Sequence, residues 1–204
     1  MELTNEFRVA LPVERAWAVL TDLERIAPCM PGAQLQEVEG DEYRGVVKVK
    51  VGPITAQYKG VATFVSQDED GRVAILRAEG RETRGQGNAN ATITATLVPM
   101  DAGTEVAVVT DLQVTGRVAQ FGRGVLADVS AKLLGQFVEC LEQTVLVDEP
   151  AAPAAPSALR KIDSPEPTPV DLLETAGTPV VKRVGPVLAA VAILWLLKKL
   201  LSRR

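Results

Sequence analysis

The sequence predicts an α+β domain in which one curved antiparallel sheet wraps around a long helix at the domain's C-terminal end. Three observations predict it. Six apolar-patterned stretches between residues 34 and 114 are separated only by short turn signals. Strict period-two alternation runs through Gly87–Leu97 and again through Thr104–Val114, the mark of strands with one face in water. A single three-and-four apolar repeat then occupies Val118–Val145, the mark of an amphipathic helix.

Each element follows from its residues. Phe7 and Val9 sit in a short first strand. Pro12 opens a helix that runs to about Leu20, since proline's missing N–H costs nothing at a first helical position. Thr21-Asp22 caps a second short helix, Pro28 ends it and Pro31-Gly32 turns the chain. Gly40-Asp41, Gly52-Pro53, Asp68–Gly71 and Asp101–Gly103 then punctuate the strands. Strands joined by such short turns are antiparallel neighbours. Val106, Val108, Thr110, Leu112 and Val114 face inward, with Glu105, Asp111 and Gln113 outward. Lys48 and Lys50 place Val47, Val49 and Val51 inward, and Gln57 and Lys59 do the same for Ala56, Tyr58, Gly60 and Ala62. On the long helix Phe121, Val125, Leu126, Val129, Leu133, Phe137, Cys140 and Leu141 form the stripe that meets the sheet.

Charge divides the chain into three parts. Residues 1–147 form the folded body, with 14 basic and 20 acidic residues. Residues 148–181 carry seven prolines among alanines, a composition that reads as a disordered linker. Residues 182–204 carry six basic residues and no acid. An acidic body argues against nucleic acid as a partner; a basic tail favours anionic lipid.

Most catalytic classes lack their residues. Histidine is absent, which removes the commonest general base and metal ligand. Cys29 and Cys140 are far apart and form no CxxC pair; the expectation is no disulfide framework, a reducing compartment, and Cys29 as a small buried hydrophobe. No metal site is expected. The acidic N-terminus does not resemble a signal peptide, so the body is expected in the cytoplasm. Glu79, Arg81, Glu82 and Arg84 follow a strand and read as a solvated loop, with a partner-docking edge as the alternative. Trp17 reads as an anchor of the first helix pair. No nucleophile, base and orienter assemble.

What distinguishes the sheet is its lining. Ala56, Gly60, Ala62, Gly87, Ala89, Ala91 and Ala95 fall among the inward positions, and aromatic residues make up only 4 % of the chain. Interiors pack to a density of about 0.74, so small residues imply either close approach of the helix or space. A strongly curved sheet prevents close approach along a whole helix, which favours an apolar cavity over tight packing. Gly122 and Gly124 interrupt the start of the helix. Interior glycines cost about 1 kcal/mol relative to alanine, so this is either a soft gate with Phe121 as lid or a site of close backbone packing. No GxxxxGK[ST] accompanies them, which excludes a phosphate loop.

In the tail, Val184–Leu197 is fourteen residues without a charge, about 21 Å as a helix against a hydrocarbon core of about 30 Å. With snorkelling lysines and arginines, Val180–Leu201 reaches about 33 Å, and Trp195 suits an interface. The readings are a tail anchor that spans, an interfacial helix, or a helix that docks on a partner protein.

Several runs carry a resemblance: Leu11-Pro12-x-x-x-x-Ala16-Trp17, Leu23 through Ala33, Tyr43-x-Gly45-x-x-x-Val49, Val51-Gly52-Pro53, Tyr58-Lys59-Gly60, Gly103-Thr104-Glu105-Val106 and Gly116-Arg117-Val118-Ala119-Gln120-Phe121-Gly122. Over about residues 1–145 the chain resembles the CoxG family, the G subunits of carbon monoxide dehydrogenase. The resemblance implies a START-like helix-grip fold with a hydrophobic tunnel between sheet and long helix. It also implies service to molybdenum–copper carbon monoxide dehydrogenase at the cytoplasmic face of the membrane, within a respiratory chain. The expected role is a non-enzymatic carrier, with no covalent cofactor, that takes an isoprenoid quinone such as menaquinone from the bilayer to the dehydrogenase. The expected contacts are Val47, Val49, Tyr58, Phe64, Ala89, Ala91, Ile93, Leu112, Phe121, Val125, Leu126, Val129 and Leu133, with Tyr58 as donor to a quinone carbonyl. The competing readings are a scaffold that recruits the dehydrogenase without any ligand, and an enzyme of the cyclase or hydrolase kind found on related folds, which would need an inward acid–base pair.

Overall fold

The computed structural model describes residues 1–145, 160–161 and 170–171. The chain divides into two compact units, Met1–Val170 and Asp171–Arg204. The predicted tail at 182–204, and all of the predicted linker except residues 160–161 and 170–171, lie outside the described residues.

The first unit is an antiparallel sheet and three helices. Strand β1 (Glu2–Val9) leads to α1 (Val13–Leu20), α2 (Leu23–Ile26) and a 3-10 turn (Ala27–Cys29). Six strands follow as a meander: β2 (Ala33–Glu39), β3 (Glu42–Val51), β4 (Ile54–Asp68), β5 (Val73–Glu82), β6 (Asn88–Met100) and β7 (Gly103–Val114). A second 3-10 turn (Val118–Phe121) precedes α3 (Gly122–Cys140), which ends in a π-helical turn (Leu141–Val145). The spatial order is β1-β7-β6-β5-β4-β3-β2, and a two-residue strand, β8 (Arg160–Lys161), pairs with the edge strand β2. Two residues of the predicted linker thus extend the sheet.

The expected strands all form, with longer ends. β1 reaches back to Glu2 because β7 gives it a full-length partner, from Glu2 opposite Asp111 to Val9 opposite Thr104. Pro12 precedes the first turn of α1, and the Asp22 carboxylate caps α2 by accepting from the Arg25 N–H at 3.1 Å.

The sheet curves at a row of glycines. Gly45, Gly60 and Gly80 are cross-strand neighbours on β3, β4 and β5. A Cβ on Gly45 would press on the Gln34 carbonyl, and one on Gly60 on the Glu79 carbonyl, so only glycine permits the strands to close up there. Bulges at Leu35/Glu37 and Phe64/Ser66 add to the bend.

Two cores form, not one. The larger joins Trp17, Ile26, Cys29, Leu97, Val106, Phe137 and Leu141, where α1, α2 and the end of α3 meet the sheet. The smaller joins Ala56, Val118 and Leu126, with Val49, Tyr58 and Val114 beside them.

The cysteines contradict the sequence expectation. Cys29 and Cys140 form a disulfide, with their Cα atoms 5.3 Å apart and 111 residues between them. Distance along the chain hides the pairing: the turn after α2 and the end of α3 meet only through the larger core. Cys29 is buried as expected, but bonded.

Candidate functional site

The register lays out the inner face in transverse rows. At the small-core end Val49 stands opposite Ala56, and the row beyond them is Val47, Tyr58 and Glu82. Next come Gly45, Gly60, Gly80, Ala89 and Val114, then Tyr43, Ala62, Ala78, Ala91 and Leu112. Phe64, Leu76, Ile93 and Thr110 follow. The middle rows, at Ala62, Ala78, Ala89, Ala91, Ile93 and Leu112, are only partly buried, as are Val129 and Leu133 on the helix. Methyl groups and glycines are too short to reach the helix, so the face between the cores keeps contact with solvent.

Val49, Tyr58 and Leu126 come together in the small core, and Phe64 packs at the edge of the larger one, edge-on to Tyr43 at 6.4 Å. Phe121 lies in the 3-10 turn, partly buried. Val47 and Val125 depart from the expectation of buried lining. They are 41 % and 39 % exposed, because α3 leans towards β1, where the Asn5 side-chain amide donates to Ser130 Oγ at 2.9 Å. Two surface clefts lie elsewhere and share no residue with the predicted lining. One, about 430 Å³, lies between the start of α1 and the β6–β7 turn; the other, about 250 Å³, lies between β1 and α3.

The feature that sequence reasoning missed is polar. Glu82 is not in a solvated loop: β5 continues through it, and period two turns it to the inner face beside Tyr58. Its side chain is 2 % exposed and accepts from Arg117 Nη2 at 2.8 Å. Glycines make room for the carboxylate, since a Cβ on Gly85 or Gly87 would come within 2.5 or 3.0 Å of Glu82 Oε2. The signal existed in the alternation of Ala78 and Gly80, which extends inward to Glu82 once the strand is allowed three more residues. One half of the inward acid–base pair that an enzyme would need is therefore present as an acid, and its partner is a permanently charged guanidinium.

Tyr58 sits next to this ion pair. A Cβ on Gly80 would lie 3.3 Å from Tyr58 Cβ, so glycine leaves the tyrosine its place. The Tyr58 hydroxyl is buried and has no hydrogen-bond partner among the described residues. Burial, and then the Glu82 charge, push its pKa above the ordinary value, while Arg117 pulls it back. A buried hydroxyl without a partner costs about 1–3 kcal/mol, so Tyr58 is an open hydrogen-bonding point beside an apolar face.

The entry to α3 resolves another alternative. A Cβ on Gly122 or Gly124 would meet nothing within 4 Å, so close backbone packing is not why glycines stand there. Gly122 has φ +73°, a left-handed conformation that glycine adopts without cost. The Val118–Phe121 turn and α3 are joined at this glycine.

The same architecture occurs in solved structures of low identity. A conserved protein from Geobacillus kaustophilus aligns with 21 % identity over 72 % of this chain and 95 % of its own, at a TM-score of 0.64. A protein from Thermus thermophilus aligns with 18 % identity over 72 % and 97 %, at 0.53. An uncharacterized protein from Rhizobium leguminosarum aligns with 11 % identity over 72 % and 95 %, at 0.52. At these identities the likeness concerns the helix-grip fold alone. No curated relative matches the sequence. Residues 6–146 match the family model of the carbon monoxide dehydrogenase G subunit, CoxG, a span that holds β2 to β7, the disulfide, the Tyr58–Glu82–Arg117 group and α3. The chain belongs to the CoxG family.

Proposed function

We propose that this protein is a carrier that accepts an isoprenoid quinone, such as menaquinone, from a membrane and presents it to molybdenum–copper carbon monoxide dehydrogenase, coupling that enzyme to a respiratory chain. Family membership supports an accessory role to the dehydrogenase. The observation that carries the ligand reading is the apolar, partly open inner face between two separate cores, ending at a buried phenol with no partner among the described residues. An isoprenoid chain suits the rows of alanine and valine, and a quinone carbonyl offers Tyr58 the acceptor it lacks. Residues 182–204 serve as the membrane tether at the cytoplasmic face; among the described residues no helix is long and apolar enough to cross a membrane.

The test is solvent extraction and mass spectrometry of the full chain purified from its own cells, beside the Ala91→Trp variant. Quinone at about one per chain, lost in the variant, is expected. A chain that comes out empty and takes up no added menaquinone would sink the carrier reading and leave a recruiting scaffold in its place.

A further inference from the structure

The fold sorts charge to its two ends. The Gly52-Pro53 turn, the Thr83–Gly87 turn and the Thr115–Phe121 connection lie at one end of the meander, where Tyr58, Glu82 and the start of α3 also lie. The charges that reach solvent there are mostly basic. Lys59 is exposed and Lys48 half-exposed on the outer face, Arg81 is beside Lys59, Arg84 lies in the turn, and Arg123 opens α3. The carboxylates nearby are mostly committed: Glu82 to Arg117 at 2.8 Å, Glu79 to Arg77 at 2.6 Å and Asp111 to the N-terminal ammonium at 3.3 Å. Glu2, and Asp128 one turn past Val125 on α3, add exposed acids with no ion pair among the described residues of this end. At the opposite end, Glu39, Asp41 and Glu42 flank one turn, Asp68, Glu69 and Asp70 form the next, and Asp101 the third. Of the arginines at that end, Arg8, Arg44 and Arg72 are already in ion pairs, and Arg15 is exposed on α1.

One detail speaks against the basic end being an accident of composition. Lys59 and Arg81 are direct cross-strand neighbours on the outer face. Like charges in that position destabilise a sheet, and neither has an ion-pair partner among the described residues. Folding does not profit from the pair, so its use lies outside the fold.

We propose that this basic end is the face the domain sets against an anionic lipid bilayer. A body with an excess of acidic residues is repelled by an anionic surface in most orientations, and only the sorted charge gives it one attractive approach. Each Lys or Arg near such a surface contributes about 1 kcal/mol, within a screening distance of about 8–10 Å. Two further features favour lipid over an acidic protein. Val125 is exposed on α3 just past Arg123, and residues 182–204 of the same chain are apolar between basic clusters. Docking in this pose would place the glycine joint at Gly122 and the Tyr58 end of the inner face at the bilayer, whatever that face holds.

The experiment is hydrogen–deuterium exchange of the full chain on phosphatidylcholine vesicles, with and without about one-third phosphatidylglycerol, a lipid that gives the surface its negative potential. Slower exchange at residues 81–87 and 116–125 on the anionic vesicles only is expected, with loss of that protection in K59E/R81E/R84E and at high salt. The neutral set K59Q/R81Q/R84Q, which removes the like-charge contact and so keeps the fold, should lose most of it too. Protection unchanged in both variants, protection on neither vesicle, or protection appearing only when carbon monoxide dehydrogenase is added would overturn the proposal. An empty inner face with intact docking would overturn the carrier reading alone.

Discussion

Glu82 and Arg117 join the last residue of β5 to the connection before α3, with Arg117 Nη2 donating to Glu82 Oε1 at 2.8 Å. The partners are unequal. The Glu82 side chain is 2 % exposed and that of Arg117 is 53 %, so the carboxylate has surrendered its water and depends on the arginine. Removing one partner of a fully buried pair costs about 3–5 kcal/mol; with the arginine half in water, about 1–3 kcal/mol is the better expectation. Arg117→Ala should therefore be more destabilising in urea unfolding than Glu82→Gln, which keeps shape and removes the charge. Equal losses would show that the carboxylate is not the dependent partner.

Tyr58 gives a prediction that separates stability from binding. Its hydroxyl is buried and unpartnered among the described residues, so Tyr58→Phe should leave the ligand-free chain as stable or more stable, by about 1 kcal/mol, while weakening retention of a ligand that offers an acceptor. The pH dependence follows from burial, then Glu82, raising the phenol pKa above 10.0. The folded state holds the proton more tightly than the unfolded chain, so this contribution is complete below about pH 10 and is lost as the pH climbs through the raised value. Urea unfolding at successive alkaline pH values should show a shallower decline in Tyr58→Phe. Some decline remains, because burial raises Tyr43 as well. A variant curve that overlays the wild type would exclude Tyr58 as a buried phenol.

The two glycines of the α3 entry should answer oppositely to the same change. Gly124→Ala adds a methyl where nothing lies within 4 Å and should stabilise by up to about 1 kcal/mol through helix propensity. Gly122→Ala adds one equally free of neighbours, but at φ +73°, and should cost about 1–2 kcal/mol. Thermal unfolding of both variants reads the signs. If the entry is a gate, Gly124→Ala also slows ligand exchange.

The Cys29–Cys140 bond closes a loop of 111 residues, for which chain entropy gives an upper figure of about 4–5 kcal/mol. Reduction, or Cys140→Ser, should lower the urea midpoint while the larger core holds the fold together. Alkylation of the unfolded, unreduced chain followed by mass measurement checks the bond itself. Labels on both cysteines would mean that it does not form in the cell.

The order of strands, the turns between them and the inward set on β6 and β7 were legible from local patterns, because alternation and turn residues are decided within a few residues of chain. So was the shortage of large side chains beneath the helix, from Ala89, Ala91 and Ala95. The structure alone decided matters that depend on what lies across the fold. Whether β5 ended before Glu82 depended on β4 and β6 offering partners to its last residues. Whether Val47 was covered depended on the direction in which α3 leaned, and whether Cys29 met Cys140 on elements 111 residues apart reaching one core. Local patterning sets which face of a strand is apolar; only long-range packing determines what stands opposite it, and there a buried carboxylate, an unpartnered phenol and a disulfide came to light.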